Sequence, residues 1–320
     1  MLFLFLAICF GSLFSVVFKV CQKKDIDTSQ VILFNYVTAI AFSAGGILLS
    51  IAGGNSSPSD YALDTPCVLL ALLQGSFFFL GFFVMNRSTW RSGVALTTAA
   101  ARSSLIIPLI LSWLLLSQTE PSWLCVALII IAMLLMVLPA QSEKREAQYR
   151  TDISEGQRRV KTMLALSAVF LTYGVSDFLL KLVQNSVETR ALTEQMLQSG
   201  LAAQKTIIFS SAALFSLASC LVSGSFRKDG KRNRTSLHQG FRWRNVLGGV
   251  VLGLVNTGCT TCVLLALSRI STSLYFPLYN IGIVVVATLV GVIFFKEKLR
   301  PLQTAGLALA AAAIALSFIL

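Results

Sequence analysis

Ten apolar runs divide the chain, at about residues 1–20, 31–52, 66–85, 93–116, 122–139, 162–184, 206–225, 245–267, 272–295 and 301–320. Runs of roughly 18 to 25 residues match the thickness of a bilayer core crossed by a helix. They are about twice as long as a barrel strand and lack its alternation. Helices and closed barrels alone satisfy the backbone inside hydrocarbon, so each run is expected to be a transmembrane helix. Met1 to Val20 is read as the first span rather than a signal peptide. It has no basic leading segment and no A-x-A-like cleavage site, and Lys23-Lys24 follow it. The polar stretch Gln184–Gln204 is patterned enough for an extra helical turn or a surface helix.

Composition sharpens this picture. Hydrophobic residues form 55% of the chain and charged residues 12%, with a mean hydropathy of +0.77. A soluble domain carries about 25% charged residues. The net charge of +12 does not point to nucleic acid, because the basic residues sit in short loops between apolar runs. Loops after odd-numbered spans hold 20 Lys and Arg, and loops after even-numbered spans hold 3. This bias places the odd loops in the cytoplasm and both termini outside. Most of the seven cysteines lie in apolar runs as small hydrophobes. Cys259-Thr260-Thr261-Cys262 has no second pair and no nearby His, so a helix-packing role is expected rather than metal or redox chemistry.

The two halves of the chain can be laid over each other. GSLFSVVFKVCQ from Gly11 matches YGVSDFLLKLVQ from Tyr173, which pairs Lys19 with Lys181, Gln22 with Gln184 and Ser15 with Asp177. GVALTTAAARSS from Gly93 matches STSLYFPLYNIG from Ser271, which pairs Arg102 with Asn280. After a one-residue slip, Glu120 meets Glu297. Five spans per half invert the second copy relative to the first. The expected fold is therefore an all-α integral membrane protein of ten transmembrane helices in two inverted five-helix repeats. These are residues 1–139 and 162–320, joined by a basic linker at 140–161. Inverted repeats hold substrate near the midplane of many secondary transporters.

These features resemble the drug/metabolite transporter superfamily, and within it the EamA-type permeases. The resemblance rests on the paired repeats, the acidic turns at Glu120 and Glu297, the FKEKL-x-P-x-Q-x-x-G pattern from Phe295 to Gly306, and FPLYNIG from Phe276 to Gly282. It covers nearly the whole chain. It implies a permease moving a small solute across the plasma membrane by alternating access. This chain has Asn35-Tyr36 where family members commonly carry an Arg in the second span. Family members are also usually drawn with both termini in the cytoplasm, opposite to the loop charges here.

Ionisable groups inside a bilayer cost about 2.5–3.5 kcal/mol each on insertion scales, which makes them functional candidates. Lys19, Lys181 and Asp177 are candidates for charge coupling. Asp177 is the one carboxylate well inside a span, so it is the expected carrier if transport is proton-coupled. Lys181, four residues on, can pair with it on one helix face; Lys19 can also snorkel to the headgroups. Arg102 has the delocalised fork that suits a substrate carboxylate or phosphate. Its repeat partner Asn280 offers a neutral donor and acceptor. Tyr275 and Tyr279 share a helix face, and Pro277 between them is expected to break the helix and free carbonyls toward a cavity. Tyr36, Gln74, Tyr173 and Asn256 complete the substrate-binding candidates. Asn256 and its neighbour Thr257 can equally bond a neighbouring helix.

The sequence has no nucleotide-binding loop, its lone His238 lies in a loop and excludes an H-E-x-x-H site and a Ser–His–Asp set within the membrane, and neither cofactor nor metal is expected. Gly249 and Gly253 form a G-x-x-x-G step read as an internal helix contact rather than a dimer seam. The partners expected are a small solute and the lipid bilayer, for a monomer or homodimer. An intramembrane enzyme or a scaffold is the competing class. The absence of clustered catalytic residues argues against the first, and the paired halves against the second.

Overall fold

The computed structural model describes residues 1–23, 27–92, 94–117, 122–137, 155–223, 242–295 and 301–316. Among these residues the chain is all-helical, without strands. The helices are α1 (Leu2–Lys23), α2 (Thr28–Ala52), α3 (Thr65–Ser92), α4 (Val94–Ser103), α5 (Ile106–Leu116), α6 (Trp123–Val137), α7 (Glu155–Glu188), α8 (Glu194–Ser223), α9 (Trp243–Leu267), α10 (Thr272–Phe295) and α11 (Pro301–Leu316), with a short 3-10 turn at Pro58–Tyr61. Five segments, Thr28–Ala52, Thr65–Met85, Val160–Glu188, Glu194–Val222 and Trp243–Leu267, are long and apolar enough to cross a membrane. Shorter apolar helices cover Leu2–Leu13, Ala100–Leu116, Trp123–Ala132 and Thr272–Val286. These lengths make the chain an α-helical membrane protein. Glu120, Glu297, most of the 140–161 and 226–244 loops, and the side chain of Lys19 lie outside the described residues.

The helix ends follow local chemistry. Asp27 caps α2 by accepting from the Ser29 N–H at 2.9 Å. After α2 the chain turns at Gly54, whose φ of +71° is open to glycine at no steric cost. The polar stretch 184–204 is helical at both ends: α7 runs on to Glu188 and α8 starts at Glu194.

The chain forms two compact units. Unit 1 is Met1–Phe79 with Leu179–Ser268, and unit 2 is Leu80–Phe178 with Arg269–Leu320. Each takes helices from both halves of the sequence.

In unit 1, α2 packs on α8 and α9, and α1 packs on α9. Glycines set these approaches. A Cβ on Gly249 would lie 2.3 Å from Phe34 Cβ, and one on Gly253 would lie 2.6 Å from Asn35 O. The G-x-x-x-G step is thus an internal contact with α2, as its sequence suggests. Polar pairs rivet the same seam: Asn245 Nδ2 donates to Gln30 Oε1 at 2.8 Å, and Asn256 Nδ2 to Asn35 Oδ1 at 3.2 Å. A Cβ on Gly75 of α3 would lie 2.3 Å from Ile208 O of α8, so this pair is equally close. The Cys259 thiol donates weakly to Ala7 O, which fits the packing role.

In unit 2, α6 packs on α11, and α10 meets α5, α6 and α11. Gly174 of α7 lies against α5, where a Cβ would fall 2.4 Å from Ile107 Cδ1. The run expected as a single fourth span is two helices, α4 and α5. Pro108 explains the interruption. It has no N–H for Ser104 O, and its ring crowds that carbonyl. The new helix begins at Ile106, so Pro108 sits in a first turn, where its missing N–H is not needed. Three-residue links bridge the gap: Leu105 N donates to Arg102 O at 3.4 Å and Ile107 N to Ser104 O at 2.9 Å.

Candidate functional site

The structure gathers six sequence candidates into unit 2. Arg102 lies in the last turn of α4, beside the break. Its guanidinium Nη1 donates to Asn280 Oδ1 on α10 at 3.3 Å. Asn280 is 1% exposed, and its Nδ2 donates to Phe276 O one turn back at 3.0 Å, which turns Oδ1 toward the arginine. The two residues that the alignment of the halves pairs therefore touch.

Tyr173 and Asp177 lie one turn apart on α7 and flank Gly174, which meets Ile107 of α5. Tyr173 donates to Met85 Sδ of α3 at 2.8 Å and packs over Gly81. Asp177 makes no hydrogen bond or ion pair among the described residues. The pairing with Lys181 that their spacing allows is therefore not made. Tyr275 and Tyr279 stack on α10 with ring centroids 5.4 Å apart, and Tyr275 meets Phe276 edge to face at 5.2 Å.

One expectation fails here. α10 is continuous from Thr272 to Phe295 through Pro277, so the helix is not broken there. The break belongs to α4–α5, beside Arg102. A groove of about 410 Å³ in unit 2 is lined by Ala100, Leu166, Ser167, Phe170 and Leu171, one turn along α7 from Tyr173.

The other candidates belong to unit 1. Tyr36 and Gln74 are fully buried, and Tyr36 packs near Phe209 at 6.4 Å. Asn256 is engaged with Asn35 and accepts from Thr260 Oγ1 at 3.4 Å. Thr257 donates to Gly253 O along its own helix. Lys181 is 3% exposed, and its ammonium donates to Gln184 Oε1 at 2.7 Å and to Leu267 O at 3.3 Å. Leu267 ends α9, so Lys181 acts as a cation on a helix C-terminus, a favourable placement against the dipole. Gln184 in turn donates to Glu188.

Sequence reasoning missed Lys205. Counted as a loop residue, it lies inside α8 and donates to Thr261 Oγ1 of α9 at 2.8 Å. The signal was the helix start at Glu194, well before the apolar run begins.

No protein-family model matches this chain. A protein of Haemophilus influenzae described as uncharacterized is 28% identical over 305 residues, spanning 94% of this chain and 91% of its own length. A solved crystal structure superposes with a TM-score of 0.67, over 99% of this chain and 96% of its own, at 15% identity. That likeness concerns the fold alone.

Proposed function

We propose that this protein is a secondary transporter of the drug/metabolite transporter superfamily, of EamA type. In this reading ten spans form two inverted five-helix repeats, 1–139 and 162–320, in the plasma membrane. A small solute crosses by alternating access, without enzymatic chemistry.

The observation that carries the reading is the Arg102–Asn280 contact. Two repeat-related positions touch only if they lie close to the axis that relates the repeats, and substrate in inverted-repeat transporters binds near that axis at the midplane. Helix pairing supports the same symmetry. Inversion maps the second and eighth spans onto the seventh and third. The α2–α9 contact at Gly249 and Gly253 and the α8–α3 contact at Gly75 are then two copies of one glycine-mediated joint. The broken span beside Arg102 adds half-helix ends inside the membrane, a device by which transporters bind charged groups.

The test is reconstitution in liposomes and counterflow against a metabolite panel, with and without a pH gradient. Solute movement dependent on the protein is expected. If no solute moves under any condition, the transporter reading fails.

A further inference from the structure

The groove in unit 2 lies between α4 and α7. One wall is Ala100; the other is Leu166, Ser167, Phe170 and Leu171, around about 410 Å³ of space. Four of these five side chains are apolar, so the groove suits hydrocarbon better than water. An uncovered stripe of α7 runs through it. Val160, Leu164, Ser167 and Leu171, at i, i+4, i+7 and i+11, are all exposed.

Both walls carry an exposed cation toward the same end. On α7 it is Lys161, beside the head of the stripe, with Arg158 and Arg159 just before it in the sequence. On the other wall Thr97, one turn before Ala100, donates to Ser88 Oγ of α3 at 3.2 Å, and both residues are buried. That bond holds α4 against the end of α3, where Arg87 is exposed. Neither Lys161 nor Arg87 makes a hydrogen bond or ion pair among the described residues. Both follow odd-numbered runs, which the loop charges assign to the cytoplasmic side. From Lys161 the groove lies about 7 to 15 Å along α7, at a rise of 1.5 Å per residue. One leaflet supplies about 15 Å of hydrocarbon. The groove therefore sits at acyl depth and the cations at headgroup depth.

From this arrangement we propose that the groove binds an anionic glycerophospholipid of the cytoplasmic leaflet, one acyl chain between α4 and α7 and its phosphate beside Lys161 and Arg87.

A lipid of this kind answers both features at once, because the apolar walls take the chain and the cations take the headgroup charge. A neutral phospholipid fills the groove and brings no net charge to the cations. An apolar helix from a partner protein covers the stripe and gives Lys161 and Arg87 nothing to bind. Ala100 and Arg102 stand two positions apart on α4, on different faces of the helix. A chain seated against Ala100 thus backs the short helix that carries the arginine. The inference stands on the membrane fold and does not need the transporter reading.

The experiment uses the full-length protein in phosphatidylcholine nanodiscs doped with phosphatidylglycerol that carries a photoactivatable acyl chain. Peptide mapping should place the label on residues 166–171 of α7. Unlabelled phosphatidylglycerol should displace it about tenfold better than phosphatidylcholine of the same chains. Ala100→Leu fills the groove, so labelling there should fall by about tenfold, while the similarly small Ala100→Ser keeps it. Lys161→Gln combined with Arg87→Gln should leave the label in place and shrink the advantage of phosphatidylglycerol to about twofold or less. A label spread evenly over the exposed helices of the unmodified protein overturns the site. Equal displacement by the two lipids overturns the anionic headgroup. Ala100→Leu that folds and labels like the unmodified protein overturns the seat of the chain; if it does not fold, mapping and competition in the unmodified protein decide alone.

Discussion

The fourth and ninth apolar runs are matched when the two halves of the sequence are laid over each other, and in the structure they differ in a telling way. Both put a polar side chain at the position the alignment pairs, Arg102 in one and Asn280 in the other. One is broken into α4 and α5; the other is the continuous helix α10. Each carries a proline, so proline content does not separate them. Placement does. Pro108 falls six residues after Arg102, deep in its span, where the lost hydrogen bond to Ser104 O forces a new helix start. Pro277 falls three residues before Asn280 and only five residues into α10. The half that carries the charge also carries the helix break. The half that carries the amide is intact and serves as the rigid support for that charge.

The largest effect is expected from Arg102→Ala. Uptake in liposomes should fall by about 100-fold or more, consistent with losing a charged group that meets substrate, with helix content and gel-filtration profile unchanged. Unchanged uptake would make Arg102 structural and remove the functional half of the comparison. Pro108→Ala comes next. Restoring the N–H lets residue 108 bond Ser104 O and heals the break, so thermal stability should rise, by about 1–3 kcal/mol, while uptake drops about tenfold as the half-helix ends disappear. A variant that is more stable and equally active would show that the interruption has no part in transport. Asn280→Leu tests the support. It leaves α10 intact but strands the guanidinium, at about 1–3 kcal/mol in stability, read as a lower melting temperature.

A glycine pair checks whether the repeat relation extends beyond these two spans. Gly253→Ala and Gly75→Ala each force a Cβ to within 2.6 Å or less of a backbone carbonyl oxygen. Both should cost about 1–3 kcal/mol, and by similar amounts if the two joints are copies. Gly46→Ala, with nothing within 4 Å of its Cβ, should gain about 0.5–1 kcal/mol from helix propensity. A large difference between Gly253→Ala and Gly75→Ala would break the equivalence.

Much of the fold was legible because bilayer thickness writes itself into run length. The apolar run from 245 to 267 became α9 to within two residues, and 272–295 became α10. Polar helix ends were less visible: the pattern of Gln184–Gln204 allowed an extra turn or a surface helix but did not fix where α7 ends and α8 begins, so the half-buried Lys205 was counted with a loop. The repeat alignment placed Arg102 opposite Asn280, and the hydrogen bond between them follows that pairing. What the sequence could not supply was competition among partners. Spacing allows Lys181 to reach Asp177, but Gln184 and the free carbonyl of Leu267 at the end of α9 hold the ammonium instead. Asn256, a reasonable ligand group by type, is held by Asn35. The two prolines were equally visible. Their consequences differ through the distance from each helix start, which depends on where neighbouring turns allow a helix to begin.

The smallest effect is expected from Pro277→Ala, and it is the sharpest control on the comparison. Residue 277 sits in the second turn of α10, past the start where Leu274 N and Tyr275 N already bond Ser271 O. The proline there withholds one hydrogen bond from Ser273 O, close to an end where carbonyls and amides are adjusted by short links in any case. Alanine adds that bond and restores ordinary helix propensity without moving Asn280, whose amide is held by Phe276 O and Arg102. Uptake should change by about twofold or less and stability should rise by about 1 kcal/mol or less. A collapse of uptake in Pro277→Ala, beside a mild Pro108→Ala, would reverse the assignment. The ninth span would then be the moving element and the broken fourth span its support, and the place to look for substrate would shift from the α4–α5 junction to the stacked Tyr275 and Tyr279.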